Sequence, residues 1–362
     1  DINNSNIGTQ QDKLAFAESI CDLIDRIGVQ LTGCCKDNVE NSQLMMFECY
    51  DLALKYFSHP NFKVNEQCAE FLFTFWSLIK RKNDRMRNKT NNNQNNNSNS
   101  TMSEREQIIF NKTVELISSN LCHPQDYDIE DPDEAEADFD DYRKLKLDKV
   151  INAMTSCYPE HMLNLIGNHF SQTCQMISNN QNDRKNNDIP WQNIESDLHL
   201  IYKICEGFGP RNIDELIRNN PKFANLFEYS LKANICTKHP HPKILLKYLT
   251  IIHRYNVYFE NHPEYISQVL QLFVMCIQQN NNNGINNTLR AQSAYTLQKL
   301  VSSLYRLHSN KVNQVLLQYM DMLIQSLGSC LQSYIQQKQS ITNFDGNNNQ
   351  NNRNNNQSVQ FD

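Results

Sequence analysis

Apolar residues recur at intervals of three and four along almost every ordered stretch of this 362-residue chain, and nowhere do they alternate with polar ones over the length of a strand. A face that repeats every 3.6 residues is buried by a helix, not by a strand, whose side chains repeat every two. The spacing therefore predicts an all-α chain. Helices are expected over Asp12–Leu31, Ser42–Phe57, Val64–Lys82, Ser103–Leu121, Glu134–Cys157 and Glu160–Ser178. They continue over Trp191–Phe208, Lys222–Cys236, Lys243–Phe259, Glu264–Gln278, Thr288–Leu307 and Lys311–Gln336. Pro60, Pro159, Pro190, Pro221, Pro242 and Pro263 punctuate the series, because proline has no N–H for a helix interior and its ring clashes with the preceding turn.

Consecutive helices pair as hairpins whose first members begin near Glu134, Pro190, Pro242 and Thr288. That recurrence is close to the roughly 40 to 47 residues of HEAT and armadillo units, so a HEAT/armadillo-like α-α superhelix, a solenoid of stacked hairpins, is the expected fold. In TLRAQSAYTLQKLVSSL, Arg290, Ala294, Leu297, Leu300 and Val301 fall at helix-face intervals, with Ala294 expected to allow close helix approach.

Asparagine tracts at Asn91–Asn99, Asn280–Asn287 and Asn347–Asn356 dilute the apolar content to 39% and cannot pack a core. Placed between helices they add little to loop-closure entropy, which grows only logarithmically with length. The expected organisation is HEAT-like helices over 1–82, a basic then Asn-rich disordered insertion over 83–101, and HEAT-like repeats over 102–336. An acidic loop at 126–133 and an Asn-rich loop at 280–287 interrupt the repeats, and an Asn/Gln-rich disordered tail occupies 337–362. No segment reaches the roughly 18 consecutive apolar residues of a membrane span, and DINNSNIGTQQDK has no signal-peptide pattern. The expectation is a soluble intracellular protein. Twelve cysteines without short paired spacings, among them Cys21, Cys68, Cys205 and Cys276, suit reduced buried thiols. The chain opens without Met and closes in QSVQFD, which reads as a piece of a longer protein.

From Asp126 to Asp141 ten of sixteen residues are Asp or Glu, and the run passes directly into the amphipathic helix of Leu145, Val150, Ile151 and Met154. Asp133, Glu134 and Glu136 suit a helix start, where carboxylates meet unsatisfied N–H groups. Asp126, Asp128, Glu130 and Asp131 lie ahead of any helix that Pro132 begins, and are left to solvent or to a basic partner.

Four segments in order resemble the exportin-T family of tRNA export receptors, within the importin-β or karyopherin superfamily. They are HPNFKVNEQCAEFLFTFWSLIK from His59, DEAEADFDDYRK with Phe139, Tyr142 and Arg143, HPKILLKYLTIIHRYNVYFENHPEYISQVLQLF from His241, and LRAQSAYTLQKLVSSL from Leu289. The resemblance spans roughly Ser42 to Leu331 and is that of a middle section of a longer receptor. It implies a nuclear export receptor that binds tRNA cooperatively with Ran in its GTP state, passes nuclear pore proteins between nucleus and cytoplasm, and releases its cargo after GTP hydrolysis. No catalysis, cofactor or membrane insertion is expected, since the chain has neither catalytic motifs nor a long apolar segment. A karyopherin carrying protein or another RNA, or a HEAT scaffold outside transport, stands beside it.

Two basic groups are candidates for tRNA contact. KRKNDRMRNK supplies Lys80, Arg81, Lys82, Arg85 and Arg87 at a helix C-terminus, where the dipole alone favours cations and a localisation signal is a further possibility. Arg290, Lys299 and Arg306 form the second group, near Lys311, and solvated or intramolecular pairing is their alternative. A receptor for many tRNAs reads shape, phosphates and 2′-hydroxyls, which dispersed cations on helices suit. The formal net charge of −6 argues against a free-standing nucleic-acid binder, though not against segregated charge. Candidate Ran contacts are Asp126, Asp128, Glu130, Asp131, Asp133 and Glu134; the same block could act as a brake on RNA binding. Cys236, His239, His241 and His253 are the nearest approach to a metal set, but the prolines beside them mark a turn more simply. Trp76, Trp191, Tyr255 and Tyr258 are read as core, and no phosphate loop, nucleophile elbow or zinc-protease helix occurs.

Overall fold

The helices begin where local chemistry supplies a cap. In the computed structural model, Ser103 and Asp133 each accept the N–H three residues on, while Glu106 and Glu136 reach back to the capping residue's own N–H. Asn61, Asn220 and His241 accept from Lys63, Lys222 and Lys243 N–H. Pro159, Pro221, Pro242 and Pro263 each open a helical segment, the position where a missing N–H costs nothing.

The structure describes residues 9–36, 41–91, 102–125, 127–128, 133–179, 189–208, 213–239, 241–278, 287–329 and 331–332. The helices in chain order are α1 (Gln10–Lys36), α2 (Ser42–Phe57), α3 (Phe62–Gln67), α4 (Ala69–Asn91), α5 (Glu104–Asn120) and α6 (Glu134–Tyr142). A π-helical turn, Arg143–Leu147, joins α6 to α7 (Asp148–Cys157), followed by α8 (Pro159–Asn179), α9 (Trp191–Gly207) and α10 (Ile213–Asn219). Next come α11 (Pro221–Ala233), α12 (Ile235–Lys238), α13 (Pro242–Arg254), 3-10 turns at Asn256–Glu260 and Pro263–Tyr265, α14 (Ile266–Gln278) and α15 (Asn287–Arg306). A last helix, α16, covers 310–329. The described residues contain no strand, and none of their helices is long and apolar enough to cross a membrane. The fold class is all-α and HEAT/armadillo-like, as the periodicity predicts. Most of the Asn tracts, with Asp126, Glu130 and Asp131, lie outside the described residues.

The chain divides into two units, 1–255 and 256–362. In the first, side-chain pairs fix the direction of each neighbouring helix. Asp25 and Gly28 of α1 meet Phe71 of α4. Phe62 of α3 packs on Tyr142 of α6, and Cys157 of α7 bonds the Trp76 carbonyl of α4. Arg143, Asp148 and Asn152 meet Glu195, His199 and Glu206 of α9 in ascending order. Trp191, His199 and Glu206 then meet His241, Lys247 and Arg254 around α13. Thus α1, α3–α4, α6–α7, α9 and α13 run parallel in one layer. The return helices α2, α5, α8 and α11 form a second parallel layer, joined by Asp51–Arg105, Asn111–His161 and Glu160–Lys222 contacts. The expected starts at Glu134, Pro190 and Pro242 are successive members of the first layer. That alternation is what a stack of helical hairpins requires.

The structure departs from the predicted helices where a tertiary contact intervenes. The run expected over Val64–Lys82 breaks at Cys68 because Asp25 of α1 accepts the Phe71 N–H at 2.7 Å, capping α4 from another helix. The Glu134–Cys157 run is interrupted by the π turn, which leaves Arg143, Leu147 and Asp148 all buried and Leu145 exposed. The Lys243–Phe259 run stops at Arg254, and the short α10, which the sequence reading leaves unassigned, buries Leu216 and Ile217.

In the second unit α14 packs against α15 through buried Leu270, Phe273, Leu289, Leu297 and Leu300. Ala294 is exposed, correcting its expected role; Ser293, fully buried one residue earlier, occupies the close-packed face instead.

Candidate nucleic-acid interface

Helix α9 lies in the middle of the first layer, with α5 and α8 of the second layer against it, so most of its polar side chains are turned toward neighbouring helices. Gln192, Glu195, Ser196, Asp197 and His199 are all buried. Each charge is matched from a neighbouring helix. Asp197 accepts from Thr173 and pairs with His169 at 2.6 Å each, and Ser196 donates to the Ser118 carbonyl.

A chain of ion pairs crosses the layer. Arg143, which also touches His123, donates to Glu195 at 2.7 Å, and Glu195 lies 3.6 Å from Lys247. Lys247 donates to His199 Nδ1 at 2.9 Å, and His199 Nε2 donates to Asp148 at 2.8 Å. Asp148 binds Lys203, Lys203 binds Glu206, and Glu206 meets Arg254 at 3.2 Å. Burial, reinforced by Lys247 and Arg143, holds the His199 pKa well below its ordinary value, so the imidazole is neutral and has one donor and one acceptor nitrogen. Burial likewise lowers Lys247 to about 8, against the pull of Glu195. Lys203, Lys247 and Arg254 converge on the Tyr202 ring at 5.6, 5.4 and 4.4 Å, but carboxylates already compensate these cations. They hold helices together and offer a phosphate little net attraction.

Lys80, Arg81, Lys82 and Arg85 are different. They are exposed on the last turns of α4, and none has a carboxylate within ion-pair distance among the described residues. Among the described residues Arg81 is tied down, by Nε to the Ser77 carbonyl at 3.2 Å. The side chain of Arg87 lies outside the described residues. The second basic group does not form one cluster. Arg290 is half-buried and donates from Nε to the Ile277 carbonyl at 3.0 Å, bracing α14 to α15. Lys299 and Arg306, seven residues apart on α15, share an exposed face with Tyr295, over whose ring Lys299 sits at 4.2 Å. Tyr295 itself is 58% exposed.

The described part of the acidic segment is tied to α6 and α13. The Glu136 carboxylate accepts the Asp128 N–H at 2.7 Å and the Asp133 N–H at 2.9 Å, closing the base of the loop between them. Tyr127 donates to Asp140 at 3.1 Å and accepts from Lys243 of α13 at 2.8 Å, with the Lys243 ammonium also over its ring. Asp128, Asp133 and Glu134 are exposed around this clasp. Trp191 is closed to stacking by a ligand, since His241 covers one face at 3.9 Å and His123 also stacks on it. His241 accepts the Lys243 N–H and His239 meets the Ile189 carbonyl; no group of three or more metal-binding side chains occurs among the described residues.

The family model described as Exportin-T matches residues 36–361, from the end of α1 through both units. The chain belongs to the Exportin-T family. The Exportin-T of Neurospora crassa is 27% identical over 203 residues, covering 54% of this chain and 18% of that protein. For the human Exportin-T the identity is 21% over 229 residues, 62% of this chain and 22% of the relative. The Podospora anserina protein is 28% identical over 204 residues. The chain thus spans about a fifth of the length of these Exportin-T relatives. The Exportin-T match takes in the acidic clasp, the ion chain and both basic groups. Sequence reasoning missed the ion chain because its partners come from helices about fifty residues apart in the chain; the one signal was that Glu195 and Asp197, two residues apart, cannot share one face of α9.

Proposed function

We propose that this chain is a section of a nuclear export receptor for tRNA, which binds its cargo cooperatively with GTP-bound Ran, passes nuclear pore proteins, and releases tRNA in the cytoplasm after GTP hydrolysis. The observation that carries the reading is the Exportin-T match over 36–361. In this reading the receptor shuttles between nucleus and cytoplasm and acts by binding, without catalysis or a cofactor. Lys80, Arg81, Lys82, Arg85 and Arg87 of α4, with Lys299 and Arg306 of α15, contact tRNA phosphates; that Lys80, Arg81, Lys82, Arg85, Lys299 and Arg306 have no carboxylate partner among the described residues supports this. Arg290 serves the α14–α15 packing instead. The acidic residues Asp126, Asp128, Glu130, Asp131, Asp133 and Glu134 contact a basic surface of Ran; the exposure of Asp128, Asp133 and Glu134 supports this.

Linkage makes the test quantitative: if GTP-bound Ran raises tRNA affinity, tRNA raises Ran affinity by the same factor. Filter binding of tRNA to the full-length receptor, with and without GTP-bound Ran, measures that factor. Equal affinities in both arms would refute the reading, and recovery of other RNAs in preference to tRNA would redirect it.

A further inference from the structure

The π turn decides which side chains of the α6–α7 element face water. Ahead of it the buried positions step by three, through Glu136, Phe139 and Tyr142. Across it they step by five, from Tyr142 to Leu147, and beyond it Val150, Met154 and Cys157 continue at helical spacing. An uninterrupted α-helix would place Lys146, four residues after Tyr142, where Leu147 now packs. Lys146 instead lies half-buried, where its charge favours the ionised form of Asp25 on α1. Lys144 and Lys149 are exposed, with Leu145, 55% exposed, between them. The remaining cation of the segment, Arg143, is turned inward to Glu195. Asp148 is the one acid between Asp141 and Glu160, and it is buried and held by His199 and Lys203. Neither Lys144 nor Lys149 has a carboxylate within ion-pair distance among the described residues.

Position in the stack fixes the direction of these charges. Helix α7 has α4 on one flank, α9 on the other and α8 of the second layer behind, and α4 has α1, α7 and α2 in the same places. An exposed side chain in the packed part of either helix therefore points away from the second layer. Cys157, at the end of α7, bonds the Trp76 carbonyl of α4 and feels the charge of Lys80. Lys149 lies eight residues before Cys157, about 12 Å along a helix that rises 1.5 Å per residue, an interval that one arm of a folded RNA spans. We propose that Lys144 and Lys149 contact phosphates of the RNA cargo beside Lys80 and Arg81, forming one basic strip over α4 and the α6–α7 element; the assignment rests on the transport reading given above. Phosphate is the ligand chemistry because an ammonium on a flexible stem is a point charge that needs no fixed acceptor geometry, and each one placed on a phosphate releases counterions. Such contacts suit a cargo recognised by its shape. π turns within helices are frequent at functional sites, and this one keeps one lysine out of the core and leaves two to solvent.

The test measures tRNA binding by the full-length receptor as a function of salt, with GTP-bound Ran present. Lys144→Gln combined with Lys149→Gln should lower the log–log salt slope by roughly 2, about 1 for each lost phosphate contact. Lys112→Gln combined with Lys222→Gln removes the same charge from α5 and α11 of the second layer and should leave the slope unchanged. All four side chains are exposed, so the melting temperatures of both variants should stay close to that of the unaltered protein. An unchanged slope for the first pair, or an equal fall for both pairs, overturns the strip, while tRNA binding by the unaltered receptor leaves the transport reading standing. Loss of Ran affinity in the first pair, with tRNA affinity in the absence of Ran unchanged, also overturns it, because Lys144 and Lys149 would then contact protein. No tRNA binding by the unaltered receptor overturns the reading and the strip together.

Discussion

Single side chains decide most of the internal energetics. Arg143 and Glu195 are almost wholly buried and meet at 2.7 Å, so Glu195→Ala leaves a guanidinium in the core without its carboxylate. Unfolding free energy should fall by roughly 3–5 kcal/mol in denaturant titration, and by much less for a combined replacement of both residues with apolar ones of similar volume. Asp25 gives a pH signature. Burial raises its pKa from 3.8 to about 6, with Glu70 and Asp22 adding to the rise and the Phe71 N–H and Lys146 opposing it. The folded chain therefore binds more protons than the unfolded chain between about pH 4 and 6, and stability falls as pH rises through that window. Asp25→Asn keeps an acceptor for Phe71 and should flatten that segment of the melting-temperature profile; an unchanged profile would place the titration elsewhere. Neither effect is readable from sequence spacing, because the partners of Glu195 and Asp25 lie about fifty residues away in the chain.

Among the elements, the clasp around the acidic loop joins a cap to a strap. Asp133 caps α6, and Asp133→Ala should cost about 1 kcal/mol in thermal or chemical unfolding. Glu136→Ala removes the acceptor for two backbone N–H groups and should cost more than the cap alone, with faster hydrogen exchange at Asp128 and Asp133. This cap was legible in the sequence as carboxylates at Asp133 and Glu136 at a helix start, and the proline starts were legible for the same local reason. The break at Cys68 and the π turn at Arg143 were not. At each, a residue distant in sequence intervenes: Asp25 accepts the Phe71 N–H just past the break, and Glu195 accepts from Arg143.

The whole chain carries a formal charge of −6, yet its cations divide into two kinds. Lys203, Lys247 and Arg254 are compensated inside the first unit, whereas Lys80, Lys82, Arg85, Lys299 and Arg306 have no such partners among the described residues. Neutralising Lys80, Lys82 and Arg85 in the full-length receptor should weaken tRNA binding and lower its log–log salt slope by roughly 1 per lost phosphate contact. Neutralising Lys203 should instead lower the melting temperature and leave that slope unchanged. A slope unaltered by the first set would remove α4 from the interface.

Sequence alone determined what depends on near neighbours: an all-α chain from apolar periodicity, helix starts from prolines and capping residues, and the hairpin recurrence that marks stacked repeats. It also marked Lys80–Arg85 as exposed at a helix end, since both dipole and composition act locally there. Tertiary structure decided which charges are spoken for. Glu195 and Glu134 are the same residue type on helices of similar pattern, but one is enclosed by α5, α7, α8 and α13 and the other faces water. Burial is a property of the neighbours a helix acquires, and those neighbours lie about fifty residues away in the chain, beyond the reach of any local pattern.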